Sequence, residues 1–152
     1  MQHMNVVLDV SQFDETCTHF QKPVRNTVMD NSDFIRLVYS TGLFSLNGLL
    51  LRFTLKGART ERYFAKHKCV FPVRENRSVV DAIVAVEDAV LRRSGVANKV
   101  QVRKISEQLV GGAIKLFVVD KPGRAVNDFV LKVSGVWETE SEYGVTFKFV
   151  GT

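Results

Sequence analysis

Apolar and polar residues alternate along most of the chain beyond residue 33. The clearest run is Leu49–Lys56, in which every second residue is Leu or Phe and the residues between them include Arg, Thr and Lys. A period of two places such apolar residues on one face of a β-strand. Similar runs, bounded by turn residues, predict further strands at Phe34–Ser40, Glu61–Phe71, Val100–Ile105, Ala113–Val119, Phe129–Glu138 and Tyr143–Val150. The chain is therefore predicted to be mainly β.

One segment follows helical spacing instead. Between Val79 and Arg93, most apolar residues recur at intervals of three and four. Ser78 is a suitable N-cap, Asp81 completes a start that resembles a capping box, and Gly95 suits the left-handed position that follows a helix. The predicted order is three strands, one helix and at least three more strands.

This order matches an oligonucleotide/oligosaccharide-binding (OB) barrel, a partly open barrel of five strands. The fold prediction is thus an OB-like β-barrel of five or more antiparallel strands, with one helix between strands 3 and 4. An all-β sandwich would not explain the helix, and a ferredoxin-like domain would need a second one. We predict a single domain over residues 1–152, with the barrel core at 34–150. Residues 1–33 are predicted to be an N-terminal extension or a flanking strand.

The composition indicates an ordinary globular protein. Hydrophobic residues make up 45% and charged residues 24% of the 152 residues, enough to form a core without metal or disulfides. The two cysteines, Cys17 and Cys69, are too few for a disulfide scaffold. The first residues lack a signal-peptide pattern, and the longest apolar runs fall far short of the roughly 20 residues that span a bilayer. We expect an intracellular protein with no membrane partner.

The positive charge is concentrated in one part of the chain. The formal net charge is +5, and the segment Arg52–Arg77 alone holds eight Lys or Arg residues against two Glu residues. In the predicted strand Glu61–Phe71, parity places Phe64 on one face with Arg62, Lys66 and Lys68. Cations neutralise phosphates and an exposed ring stacks on bases, so this face is typical of a surface that binds a single strand.

The predicted interface lies on strands 2 and 3, which OB barrels use for nucleic acid, with two lysines of the last hairpin extending it. Its residues are Arg52, Lys56, Arg59, Arg62, Phe64, Lys66, Lys68, Arg74, Arg77, Lys132 and Lys148.

No catalytic motif is present: the sequence has no Walker loop, GxGxxG or HExxH, and no nucleophile–histidine arrangement can be assembled from it. We predict a non-catalytic protein without cofactors. Cys17 and His19, like His67 and Cys69, are separated by one residue, so each pair shares a strand face. If the two segments were antiparallel neighbours, four zinc ligands would converge. Two buried cysteines beside ordinary histidines are the simpler interpretation, and no metal site is predicted.

The C-terminal stretch Val130–Glu138, followed by Tyr143–Phe149, carries a resemblance to a known family. It resembles the closing hairpin of virus-encoded single-stranded DNA-binding proteins, in which a strand ending Gly-aliphatic-Trp-Glu precedes a Gly-aliphatic-Thr-aromatic-Lys-Phe strand. The resemblance covers about twenty residues of the 152. It implies an accessory role in replication or recombination and a self-associating assembly, which leaves a homo-oligomer open.

The sequence therefore predicts a protein that binds single-stranded nucleic acid, with DNA preferred over RNA. Two alternatives stay open. One is a protein-interaction or virion structural domain whose basic face is incidental, and the other is a module that binds RNA or double-stranded DNA.

Overall fold

The computed structural model describes residues 6–64, 66–117 and 127–151, with the backbone but not the side chain of Tyr63. Twelve strands and two α-helices lie within these ranges, so the chain is mainly β as predicted. The helices are α1, Arg77–Arg93, and α2, Lys104–Val110. The strands are β1 Leu8–Asp9, β2 Thr18–Phe20, β3 Val24–Arg25, β4 Asp33–Ser40, β5 Ser45–Asn47, β6 Leu49–Thr54, β7 Arg59–Tyr63, β8 Lys66–Val70, β9 Val100–Val102, β10 Ala113–Leu116, β11 Asp128–Glu138 and β12 Glu142–Gly151.

The longest strand, β11, organises the sheet. It pairs with β12 from Phe129 to Glu138, and two strands share its other edge. The first half, Asp128–Val133, pairs with β6, and the second half, Gly135–Glu138, pairs with β4. The change of partner coincides with a bulge at Ser134, where the register with β12 shifts.

Gly135 makes this change of partner possible. A Cβ atom at that position would lie 2.1 Å from the carbonyl oxygen of Ile35 and 2.9 Å from the ring of Phe34. No side chain fits between the two backbones, so the close approach of β4 to β11 requires glycine.

The predicted OB-type barrel is not confirmed. Hydrogen bonding runs in the order β1-β6-β11-β12-β10-β8-β7, and within the described residues no ladder joins β7 back to β1. The sheet is also mixed, because β1 is parallel to β6, and both β9 and β10 are parallel to β12. The described part of residues 1–33, which begins at Val6, contributes three short strands that pair with β4 and β6.

The main helix is confirmed, but its position among the strands and its start differ from the prediction. It follows β8 instead of a third strand, and Asn76 occupies the N-cap position, so the predicted capping box of Ser78 and Asp81 is wrong. The Asn76 side chain bonds instead to the backbone N–H and C=O of Lys56 and to the carbonyl of Pro72. Gly95, with φ +79°, follows the helix as predicted.

The second helix, α2, was not predicted, and the strand expected at Val100–Ile105 ends at Val102. The reason lies in α1, which supplies a buried carboxylate. Glu87 is 1% exposed, and its two oxygens accept hydrogen bonds from the backbone N–H groups of Ile105 and Ser106, each at 2.9 Å, and from the Ser106 hydroxyl. These are N–H groups of the first turn of α2, which the local sequence does not cap.

The core lies between one face of the sheet, called here the inner face, and the two helices. Leu131 and Phe149 of the central strands are buried together with Ile83 of α1 and Ile105 of α2. Fully burying each such side chain contributes about 1.5–3 kcal/mol. The opposite, outer face of the central strands carries the charged residues. Among the described residues, no helix is both long enough and apolar enough to cross a bilayer.

Substitution of Glu87 tests whether its carboxylate stabilises the first turn of α2. Glu87→Ala leaves two backbone donors and a hydroxyl without their acceptor, and it should lower the free energy of unfolding by about 3 kcal/mol. Glu87→Gln keeps one acceptor oxygen and should cost less. Urea denaturation measures both, with Glu107→Ala, an exposed glutamate of α2, as a control that should change stability by less than about 0.5 kcal/mol. A Glu87→Ala variant as stable as the control would contradict this role.

Candidate nucleic-acid interface

Four lysines lie side by side across four neighbouring strands. Lys132 of β11 is opposite Lys148 of β12, and Lys115 of β10 is opposite Lys68 of β8. The parallel pairing of β10 and β12, with Leu116 beside Phe149, brings Lys115 next to Lys148. We call Lys132, Lys148, Lys115 and Lys68 the lysine row.

The lysine row lies on the outer face of the sheet. Leu131, Phe149 and Leu116, which alternate with these lysines along the strands, are at most 6% exposed and belong to the core. Because neighbouring residues of a strand point to opposite faces, the lysines project away from the core. Three of the four are exposed, and Lys68 is half-exposed.

The charges of the row are poorly compensated by the protein itself. Like charges that lie directly opposite each other across strands destabilise a sheet. Within the described residues, the only ion pair of the row joins Lys68 to Glu61, at 3.6 Å and at the outer end. The Lys148 ammonium lies 4.4 Å from the centroid of the Phe117 ring, and this ring is 65% exposed. The row thus combines clustered positive charge with an accessible aromatic side chain.

Two further cations flank the row. Arg52 of β6 is exposed and lies opposite Val130, one outward position along β11 from Lys132. Asp9 of β1 pairs with Arg52 in the sheet. The pKa of Asp9 is lowered chiefly by hydrogen bonds from the Ser11 N–H and hydroxyl, with a smaller contribution from the Arg52 charge. Lys66 is exposed at the start of β8.

The strand predicted at Glu61–Phe71 is in fact a hairpin. β7 and β8 pair antiparallel, with Tyr63 opposite Lys66, so the chain reverses at Phe64. Phe64 has φ +56° and is 82% exposed at the tip. Gly or Asn usually marks a two-residue hairpin turn, and neither is present at this position, so the sequence gives no local signal of the turn.

This hairpin separates residues that were predicted to share a face. Arg62 lies opposite His67, and both have the parity of the buried Cys69, whereas Lys66 and Lys68 have the other parity. The predicted grouping of Arg62 and Phe64 with the two lysines on one strand face is therefore wrong. Arg62 donates from Nε to the carbonyl of Phe64 at 3.3 Å.

The other predicted residues divide into two groups. Arg59 lies on β7 and contacts Glu61 at 3.7 Å, at the edge of the outer face. Lys56 is hydrogen-bonded to Asn76, the residue that precedes α1. Arg74 lies in the short 3₁₀ turn just before α1 and Arg77 is its first residue, so all three lie on the helical side of the sheet. The structure therefore places six predicted residues on the outer face. Arg59 lies at its edge, and the other five are Arg52, Lys66, Lys68, Lys132 and Lys148.

Lys115 and Phe117 are not among the residues predicted from the sequence. The signal available was the alternation in Ala113–Leu116, which places Lys115 on the polar side of β10. Its position beside Lys148 depends on the parallel pairing of β10 with β12, two strands far apart in the chain. No local pattern reports such a pairing.

The four candidate zinc ligands do not meet. β2, which carries His19, pairs with β4, whereas β8, which carries His67 and Cys69, pairs with β7 and β10. The described ranges contain no group of three or more His, Cys, Asp or Glu side chains that could hold a metal ion. Burial raises the pKa of the Cys69 thiol to about 11, so this thiol is protonated near neutral pH.

Comparison of the chain with family models, with curated proteins and with solved structures finds no match. The resemblance of the last hairpin to viral single-stranded DNA-binding proteins stays a prediction.

The repulsion within the lysine row predicts an unusual stability effect. Lys132→Gln removes the charge opposite Lys148 and should stabilise the protein by about 0.2–1 kcal/mol at low salt. The melting temperature should rise by up to about 4 °C, and the gain should shrink as salt is added. Lys22→Gln, an exposed lysine outside the sheet's outer face, controls for the change in net charge. Equal effects of the two substitutions at every salt concentration would contradict repulsion within the row.

Proposed function

We propose that this protein binds single-stranded nucleic acid on the outer face of its sheet, DNA in preference to RNA, and that it catalyses no reaction. The observation that carries the proposal is the lysine row, in which four cations in register have one ion pair among the described residues. Repulsion between the neighbouring lysines destabilises the free protein. A polyanion bound across the row would neutralise these charges and remove the repulsion.

The dimensions of the row suit a run of phosphates. Adjacent strands are about 4.8 Å apart, so four lysines in register span roughly 14 Å. A stacked strand places a phosphate about every 3.4 Å, which corresponds to about four phosphates over that length. Each lysine can then neutralise one phosphate and release its condensed counterion.

The aromatic side chain beside the row favours a single strand over a duplex. Phe117 is 65% exposed and contacts Lys148, so a base bound next to the phosphates can reach its ring. In a duplex the faces of the bases are stacked on one another, whereas in a single strand they are open to aromatic side chains. OB-type domains likewise bind single strands on a curved sheet surface, and we propose a comparable use of this open, mixed sheet.

Fluorescence anisotropy with labelled oligonucleotides tests the proposal. Affinity for single-stranded DNA should exceed that for duplex DNA and for RNA. It should fall with salt at a log–log slope near −2.8, since each of about four neutralised phosphates contributes about 0.7. Lys148→Ala should flatten the slope by about 0.7.

Arg77→Ala is the matched control, because Arg77 was also predicted from sequence but lies at the start of α1. It should leave the slope unchanged. Salt-independent binding, a preference for duplex, or equal effects of the two variants would contradict the proposed interface. Absence of any nucleic-acid binding at low salt would favour the alternative of a protein-interaction domain.

A further inference from the structure

A second aromatic group lies on the same outer face, beyond the bulge in β11. Trp137 is opposite Phe34 on β4 and opposite Gly144 on β12. Its neighbour Val136 is fully buried in the core, so Trp137 projects outward. Without the bulge, Trp137 would have the parity of Leu131 and would point into the core.

The two rings lie directly against the sheet because the positions beneath them are glycines. A Cβ atom on Gly144 would be 2.8 Å from the Trp137 ring, and one on Gly135 would be 2.9 Å from the Phe34 ring. The sheet covers one side of each ring, and both residues are partly exposed. The guanidinium of Arg36 lies 5.6 Å from the centroid of the Phe34 ring and adds positive charge to this group.

Core packing does not account for these rings. Within the described residues, neither Phe34 nor Trp137 belongs to the core or to the half-buried hydrophobic residues that pack against it. Large aromatic side chains stabilise a fold mainly by the area that they bury, and both of these residues leave part of their surface exposed on the outer face.

We propose that Phe34 and Trp137 form a platform on which bases stack, as part of the same single strand whose phosphates lie along the lysine row. This inference rests on the proposed function and specifies its base contacts. The platform and the row lie on one face and share the strands β11 and β12. Gly144, under Trp137, is four residues from Lys148, or about 14 Å along β12. Arg36 supplies the charge that a phosphate between the two sites needs.

The tryptophan provides its own probe, because Trp137 is the only tryptophan of the 152 residues. Titration with a twelve-nucleotide oligo(dT) should quench its fluorescence in parallel with the anisotropy change. An abasic oligonucleotide of equal length carries the same phosphates without bases. It should bind at low salt and leave the fluorescence unchanged.

Two substitutions test the energetic contribution. Trp137→Leu and Phe34→Leu should each weaken oligo(dT) binding by about 5- to 150-fold, the range that one stacked base contributes. Binding of the abasic strand and the salt slope should stay within error, because no charge is removed. Phe13→Leu, which removes a ring that contacts Tyr39 away from the outer face, is the matched control and should bind both strands normally.

The outcomes separate this inference from the proposed function. If oligo(dT) binds with the expected salt slope but does not quench Trp137, the platform is wrong and the lysine row still stands. If neither oligonucleotide binds, both fail. Equal loss of oligo(dT) and abasic binding in Trp137→Leu would mean that the substitution weakens binding by disturbing the fold and not by removing a base contact. That result would also overturn the platform. The quenching experiment needs no substitution, so it decides the matter even if Trp137→Leu does not fold.

Discussion

The strand β11 hydrogen-bonds β12 on one edge and both β6 and β4 on the other, and this sharing depends on Gly135 and the bulge before it. The bulge also reverses the parity of the strand. Lys132 and Trp137 are five residues apart, an odd separation that would place them on opposite faces of a regular strand. The extra residue brings both to the outer face, so the same irregularity that allows two partners also places charge and ring on one surface.

Burial of apolar side chains on the inner face offsets the repulsion between lysines on the outer face. Repulsion between opposite lysines amounts to about 0.2–1 kcal/mol for each pair. Burial of a Leu or Phe side chain directly behind the row contributes about 1.5–3 kcal/mol. The residues beneath the row, Leu131, Phe149 and Leu116, are all buried. The fold can therefore hold four cations in register.

Periodicity predicted the individual elements well where each was regular and local. Four predicted elements agree with the structure to within one or two residues at each end. They are the strand at Phe34–Ser40, the main helix and the last two strands. Errors arose where distant residues decide the structure. The cap of α2 comes from Glu87, eighteen residues before Ile105 in the chain.

The candidate site was also predicted correctly only where local strand parity decides which residues share a face. Lys132 and Lys148 belong to one hairpin, so their shared face follows from strand parity. Lys115 joins them only through the pairing of β10 with β12, and Arg62 leaves the group because the chain turns at Phe64. Charge density along the sequence indicated that a basic surface exists, whereas the order of the strands determined which basic residues form it.

Lysine footprinting tests the location of the interface most directly. The protein would be acetylated with and without a saturating single-stranded oligonucleotide, and the modification of each lysine measured by mass spectrometry. We predict strong protection of Lys68, Lys115, Lys132 and Lys148, with Lys22, Lys56 and Lys104 modified as in the free protein. Uniform protection, or protection of Lys56 while the lysine row reacts freely, would contradict the outer face as the binding surface.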